Sequence, residues 1–295
     1  MKILRLSDIL RKQYGKKVYK LSLSSGCSCP NRDGSIMYGG CTFCSEGGSG
    51  EFASDFKSIP EQIKEAKELI SSKTEAELFI AYFQSFSNTY GDVERLKSLF
   101  TEAISRDDIA ALSIGTRPDC LGKEVMALLK ELNQIKPVWV ELGLQTIHEK
   151  TAERIHRGYK LKVFEDAYRR LKESGLEVIV HVIFNLPGET REDMLDTIRY
   201  LAKLQPQLDG IKLHMLQILK GTQLAREYEE APFPVFSLEE YGEILTEALK
   251  ILPEETVIHR FTGDGHKGLL IAPEWSADKK HVLNTLNKMI AEVKR

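Results

Sequence analysis

Six short apolar runs rich in β-branched residues recur along the chain, most followed by a stretch of helical periodicity. That alternation limits the possible folds more than any other feature. The runs are "VYKLSLS" (18–24), "ELFIAYFQS" (77–85), "AALSIGT" (110–116), "VWVELGLQT" (138–146), "EVIVHVIFN" (177–185) and "GIKLHMLQI" (210–218). Helical patterns fall over 60–71, 92–105, 122–133, 161–174, 190–204 and 237–251. In "TREDMLDTIRYLAKL", Met194, Leu195, Ile198, Leu201 and Leu204 share one face, and Thr190 with Asp193 offers a capping-type start. No hairpin turn joins successive runs, so the strands are expected to be parallel and linked by right-handed crossovers. Several runs are apolar for most of their length, as strands covered on both faces are. The expected fold class is α/β, a partial (β/α)6 TIM-like barrel; a doubly wound open sheet is the alternative that local pattern leaves open. Residues 1–230 are expected to form the barrel with a basic N-terminal helix. Residues 231–295 are expected to add a helical and strand extension, packed on it as one compact unit. Within that extension, "TVIHRFTGDGHKGLLIAPEWS" is read as a further strand and a loop against the barrel.

Composition narrows the function classes. The chain is 42% hydrophobic and 28% charged, an ordinary balance for a globular protein. No apolar run approaches a bilayer-spanning length. The opening "MKILRLSDILRKQYGKK" reads as an amphipathic helix and not as a secretion signal. A cytoplasmic location without a membrane partner is therefore the expectation. Net charge is −2, which argues against a broad polycationic surface. Basic residues nevertheless gather at both ends: Arg5, Arg11, Lys12, Lys16, Lys17 and Lys20, then Lys279, Lys280, His281, Lys288, Lys294 and Arg295. Such ends suit a phosphate backbone; they equally suit helix faces in solvent.

In folds of this class chemistry collects where strands end and loops begin. The loop after the first strand, "SSGCSCPNRDGSIMYGGCTFCSEGGSGEF" (24–52), holds Cys27, Cys29, Cys41 and Cys44, four of the five cysteines. A structural disulfide suits neither the expected compartment nor the odd cysteine count. Zinc is compatible with "CTFC" but poorly with "CSC". A thioredoxin-type pair belongs at a helix start, whereas this one sits among glycines. An iron–sulfur cluster takes thiolates and tolerates a long irregular loop. Spacing alone leaves these open.

"CPNRDGSIMYGGCTFC" resembles the cluster loop of radical S-adenosylmethionine (SAM) enzymes. Eleven residues separate Cys29 from Cys41 and two separate Cys41 from Cys44. This elongated form is similar to the Elongator catalytic-subunit-like branch, and within it to the small bacterial YhcC/YtqA-type subfamily. "QSFSNTY", "GTRPDCL", "ELGLQT", "RIHRGY", "FNLPGET", "KLHMLQILKGT" and "FTGDGHKGLLIAPEWS" carry the likeness in order along nearly the whole chain. The resemblance implies a radical SAM barrel, with Cys29, Cys41 and Cys44 holding a [4Fe–4S] cluster. One iron is then left for the amine and carboxylate of SAM, and reductive cleavage yields a 5′-deoxyadenosyl radical. One departure stands out: Cys27 in "GCSCPN" replaces an apolar residue of the subfamily pattern and is read as a small buried hydrophobe, with an alternative cluster ligand as the other reading. Cys120 is read as core filler.

For SAM, the resemblance points to Phe43 beside the last cysteine, Gln84 and Ser85 after the second strand, and Asn185 and Gly188 in "NLPGE". Glu141 and Gln145 lie four apart on one strand and so share a face, within reach of ribose hydroxyls if that face points inward. Arg157 in "HRGY" offers a guanidinium fork to the SAM carboxylate. Asn88, Tyr90, Arg117, Asp119, His214, Gln217, Arg260, Asp264 and Lys267 are the substrate-side candidates. By the same resemblance the substrate is the wobble uridine of tRNA. The implied change shortens its 5-carboxymethylaminomethyl arm to 5-aminomethyl, with an external electron donor such as flavodoxin or ferredoxin. No acetyltransferase-like segment accompanies these motifs, so acetyl-CoA chemistry is not expected. The rivals are a radical SAM enzyme acting on a small molecule and a zinc-stabilised binding module without catalysis.

Overall fold

The computed structural model describes residues 3–48, 53, 56–72, 74–263, 265 and 267–293, without the Val293 side chain. Asp264, Lys294 and Arg295 lie outside the described residues. The elements in chain order are β1 (Leu4–Arg5), α1 (Leu6–Tyr14), β2 (Val18–Leu23), α2 (Ile59–Ile70), β3 (Leu78–Phe83), α3 (Val93–Ile104) and β4 (Ile109–Thr116). Next come α4 (Lys123–Leu132), β5 (Val138–Gln145), α5 (Glu149–Arg154), α6 (Leu161–Glu173), β6 (Glu177–Phe184), α7 (Arg191–Ala202) and β7 (Gly210–Met215). The chain continues through β8 (Ile218–Leu219), α8 (Gln223–Glu230), α9 (Leu238–Ile251), β9 (Val257–Arg260), β10 (Leu270–Ala272) and α10 (Lys279–Val293).

Among the described residues eight strands form one sheet, in the order β1-β9-β7-β6-β5-β4-β3-β2, and every pairing in it is parallel. The six sequence-predicted strands are β2 to β7, in their expected order. Two strands extend the sheet beyond six repeats: β9, from the anticipated C-terminal strand, and β1, a two-residue strand before α1. β1 is too short to leave a sequence signal. The sheet is curled. Lys20 on β2 reaches Glu141 on β5 at 2.7 Å, and Lys212 on β7 reaches the Tyr82 hydroxyl on β3 at 3.0 Å. Strands three and four apart touch across a concave face only if the sheet bends into an open barrel.

Period-two alternation sorts the strand residues. Leu21, Leu23, Phe79, Ala81, Phe83, Leu112, Ile114, Val140, Leu142, Val178, Val180, Val182, Ile211 and Leu213 belong to the large outer core, with the helices. The inward set is layered. Ile80, Ala111, Trp139 and Ile179 form a small apolar floor, closed by Leu10 with Leu6 and Tyr14 of α1. The N-terminal amphipathic helix is thus a plug at the strands' N-terminal end. Above the floor the inward residues turn polar. Lys20, counted above among the surface basic residues, belongs to this interior layer, because β2 turns it toward Glu141.

The helix starts follow their sequence signals. Thr190 and Asp193 form a reciprocal capping box, as do Ser58 with Glu61 and Ser237 with Glu240; a cap is worth about 1 kcal/mol. On α7, Met194, Leu195, Ile198 and Leu201 are buried as expected, and Leu204 packs against the same core. α5, α8 and α10 carry no pattern assigned in the sequence. Among the described residues no helix is long and apolar enough to cross a membrane.

Candidate active site

A cavity of about 260 Å³ opens at the C-terminal ends of the strands. Cys29, Cys41 and Cys44 line it together, and none is in a disulfide. The loop that carries them is shaped by its own backbone. The Cys29 carbonyl accepts from the Arg32 and Asp33 amides at 2.8 and 3.3 Å, Gly40 N–H donates to Asn31 O at 2.8 Å, and Cys44 N–H donates to Cys41 O at 2.9 Å. Asn31 ties the loop to the barrel. Its buried amide donates to the His156 and Arg157 carbonyls at 2.7 and 3.1 Å and to Cys41 Sγ at 3.4 Å. The approach requires a glycine opposite: a Cβ on Gly158, at φ 82°, would sit 2.4 Å from Asn31 Oδ1. Arg32 donates to the carbonyls of Cys44 and Ser45 and lies over the Phe86 ring. The motifs that hold Asn31 and Gly158 carry no sequence sign that the two residues meet.

The thiols influence one another. Burial, with Cys44 adding to it, pushes Cys41 up to about 12. A bound cationic centre reverses that penalty by taking the thiolate form. Among the described residues no three His, Cys, Asp or Glu side chains are gathered closely enough for a single metal ion. A polynuclear cluster gives each thiolate its own iron, so a donor set made only of three cysteines fits it. Arg157 offers a second fit. Its guanidinium is 1% exposed and donates to the Leu144, Thr146 and Tyr159 carbonyls at 3.1, 2.6 and 3.0 Å. Its Nη2 is buried without a hydrogen-bond partner, 3.8 Å from Glu149. Glu149 Oε2, the atom it faces, is likewise without a hydrogen-bond partner, so the fit Arg157 offers an anionic ligand is a cation on the cavity wall and not an open donor.

The cavity also gathers Phe43, Gln84, Arg117, Glu141, Gln145, His214, Gln217 and Arg260 from the sequence-predicted set. Phe43 packs against the cluster of Ile155, Leu186, Leu216 and Leu224. Gln145 ends β5 at φ 64° and accepts from the Tyr159 hydroxyl at 3.3 Å. A positive φ on a non-glycine residue costs energy and marks a position that its surroundings enforce. Arg117 grips Asp119 at 2.9 and 2.7 Å and donates to the Arg157 carbonyl at 2.9 Å. Gln217 donates to Ser276 Oγ at 2.9 Å, close under the glycines of the C-terminal loop.

Other expectations are corrected. Glu141 faces the cavity, but its carboxylate is not open to a ribose. It accepts from Lys20, Lys212, His181 Nε2 at 2.8 Å and Ser113 Oγ at 2.6 Å. Burial alone would raise its pKa, yet Lys20, Lys212 and His181 hold it well below the carboxylate range. Asn88 is not on the cavity wall. Buried, it accepts from Ser25 at 2.7 Å and donates to the Phe83 and Gly115 carbonyls at 3.0 and 2.8 Å, which locks the cysteine loop to two strand ends. Tyr90 braces the same loop through Ser35, 2.7 Å from its hydroxyl. Asn185 caps the entry to α9, accepting from the Phe236 amide at 3.0 Å. Ser85, Asp119, Asn185, Gly188 and Lys267 are outside the cavity wall; Ser85 is buried and Lys267 is exposed. Sequence reasoning missed Tyr82, Tyr159, His181 and Lys212 at the wall, although inward parity on the strands could have found Tyr82, His181 and Lys212. Cys27 and Cys120 are buried and absent from the wall, as a packing role requires. Cys27 Sγ accepts from Arg95 Nη2 at 3.0 Å.

Residues 28–201 match the family described as the Radical SAM superfamily, and residues 208–292 match the Radical SAM C-terminal domain. The chain is similar to the uncharacterized protein YtqA of Bacillus subtilis strain 168, 42% identical over 280 residues that cover 95% of this chain and 86% of that one. It is 32% identical over 150 residues to a tRNA uridine(34) acetyltransferase of Methanocaldococcus jannaschii, covering 49% of this chain and 26% of that one. In fold it resembles the solved structure of Methanocaldococcus infernus Elp3 lacking residues 1–46. The TM-score is 0.66 at 17% identity, over 92% of this chain and 63% of that one.

Proposed function

The chain belongs to the radical SAM superfamily, and from that premise we propose that it modifies the wobble uridine of tRNA. It is a radical SAM enzyme related to the Elongator-type and tRNA uridine acetyltransferase proteins, and its cofactors are a [4Fe–4S] cluster and SAM. When bound, that pair supplies a 5′-deoxyadenosyl radical able to remove an unactivated hydrogen. In our reading Cys29, Cys41 and Cys44 hold the cluster. Phe43, Gln84, Gln145 and Arg157, all on the cavity wall, are the residues that orient SAM. The strand-end cavity shields both from water.

The substrate we assign is uridine 34 bearing a 5-carboxymethylaminomethyl arm, with or without a 2-thio group, and the product carries 5-aminomethyl. The net change breaks the C–N bond between the secondary amine and the carboxymethyl group. Water provides the oxygen of the departing two-carbon oxoacid. The two electrons removed balance the two that SAM takes up on conversion to methionine and 5′-deoxyadenosine, and an external donor of the flavodoxin or ferredoxin type supplies the electron that starts the cleavage. The observation that carries the tRNA reading is the likeness to a tRNA uridine(34) acetyltransferase over 49% of this chain. A nucleobase reaching this cavity must leave its stack. The exposed basic residues of α10, Lys279, Lys280, His281 and Lys288, suit a phosphate backbone.

Deleting the gene and comparing tRNA nucleosides by mass spectrometry tests the proposal. The deletion strain is expected to accumulate 5-carboxymethylaminomethyl uridines and lose the 5-aminomethyl forms and their derivatives. Unchanged nucleoside profiles, with SAM cleavage stimulated by a small metabolite, would favour the small-molecule alternative.

A further inference from the structure

The charged side chains of the cavity wall fall into two groups. Arg32, Arg117 and Arg157 stand at the cysteine end, bound to the loop or to the carbonyls around it. Lys212 on β7 and Arg260 on β9 are paired in register on neighbouring strands, and both line the wall. Glu141 is the only acidic residue on the wall among the described residues.

Lys212 is 2% exposed. An ammonium has three N–H donors. The structure assigns partners to two, the Glu141 carboxylate and the Tyr82 hydroxyl, and Glu141 is shared with Lys20, His181 and Ser113. His181 and His214, with ring centroids 5.5 Å apart, border the same space. Burial holds both imidazoles below the ordinary histidine range, so they add no charge, and the single N–H of a neutral His181 goes to Glu141. One carboxylate thus serves two lysines, Lys212 buried and Lys20 partly buried.

We infer that this end of the cavity is an anion-binding subsite in which Lys212 and Arg260 position a carboxylate carried by the substrate. Charge-assisted hydrogen bonds in a water-poor site are the strong kind. Burial, with Lys20 and Arg260 adding to it against the pull of Glu141, holds Lys212 well below the ordinary lysine range. The subsite rests on the proposed function for the carrier: the carboxymethylaminomethyl arm ends in a carboxylate. The product arm ends in an ammonium, which the same cations repel. One pair of residues therefore both selects the substrate and discharges the product.

The experiment uses the cluster- and SAM-loaded enzyme under anaerobic conditions. Three anticodon stem-loops are bound: one with 5-carboxymethylaminomethyluridine, one with its uncharged carboxamide counterpart, and one with plain uridine. The wild type is expected to bind the acid at least tenfold more tightly than the carboxamide. Lys212→Met is expected to level that ratio and Lys212→Arg to keep most of it, with iron content and melting temperature checking the fold. Equal wild-type affinity for acid and carboxamide, both above plain uridine, overturns the subsite and leaves the tRNA reading standing. No preference for either modified stem-loop over plain uridine overturns both. The wild-type ratio decides even if a Lys212 variant fails to fold.

Discussion

Cys41→Ala is expected to give a folded, colourless protein that no longer cleaves SAM. The loop keeps its shape without this thiol, because the Asn31 amide still donates to the His156 and Arg157 carbonyls and the backbone bonds from Cys29 and Gly40 remain. Its melting temperature should therefore move little. Removing an outer-sphere partner of a metal centre typically costs about 10–100-fold, and removing a ligand costs more. Reductive SAM cleavage should accordingly fall at least about a hundredfold, together with the iron content. Cys27→Ser is the matched control. Cys27 is buried, bound by Arg95 and absent from the cavity wall, so that variant should keep its iron and its cleavage activity. Full iron content in Cys41→Ala, or its loss in Cys27→Ser, would move the ligand set.

The second large effect is on stability. Glu141→Gln keeps the side chain's shape and its bond to Ser113 but removes the charge that Lys20 and Lys212 share. Breaking a buried ion pair from one side costs about 3–5 kcal/mol. Lys212 can relieve part of this by giving up its proton, so the low end, about 3 kcal/mol, is expected. For a chain of this size that is a fall in melting temperature of roughly 5 °C. The pH dependence has a definite sign. Glu141 is held well below the carboxylate range in the fold, so its contribution is complete above the ordinary value of about 4.3. It is lost as pH falls through the lowered folded value. The gap between wild type and variant should therefore narrow in acid. Adding Lys212→Met to Glu141→Gln should recover part of the loss, because the two groups are coupled. Melting curves of the single and double variants check this; a Glu141→Gln protein as stable as the wild type at neutral pH would contradict it.

The fold was legible because buried parallel strands advertise themselves. "VWVELGLQT" is apolar at nearly every outward position, and the one acid it carries, Glu141, falls on the inward face together with Gln145. The cysteine loop was legible from its thiols and glycines. What was not legible depends on tertiary approach. Tyr82 and Lys212 are 130 residues apart in sequence, and only the curl of the sheet brings them to 3.0 Å. Lys20 reads as one more surface base until β2 turns it inward. Asn88 and Tyr90 have the chemistry of ligand-binding groups, but their hydrogen bonds go to the cysteine loop and the strand ends. A polar residue beside a cavity can face the ligand or hold up the wall, and the sequence does not distinguish the two. The two-residue β1 lacks the length for any periodicity.

Anaerobic purification, followed by iron, sulfide and zinc analysis and reductive assay with SAM, tests the three-cysteine centre most directly. The account predicts a brown protein with about four irons and about four sulfides per chain, producing 5′-deoxyadenosine on reduction. A colourless protein holding zinc or no metal, and leaving SAM intact under the same conditions, would contradict it.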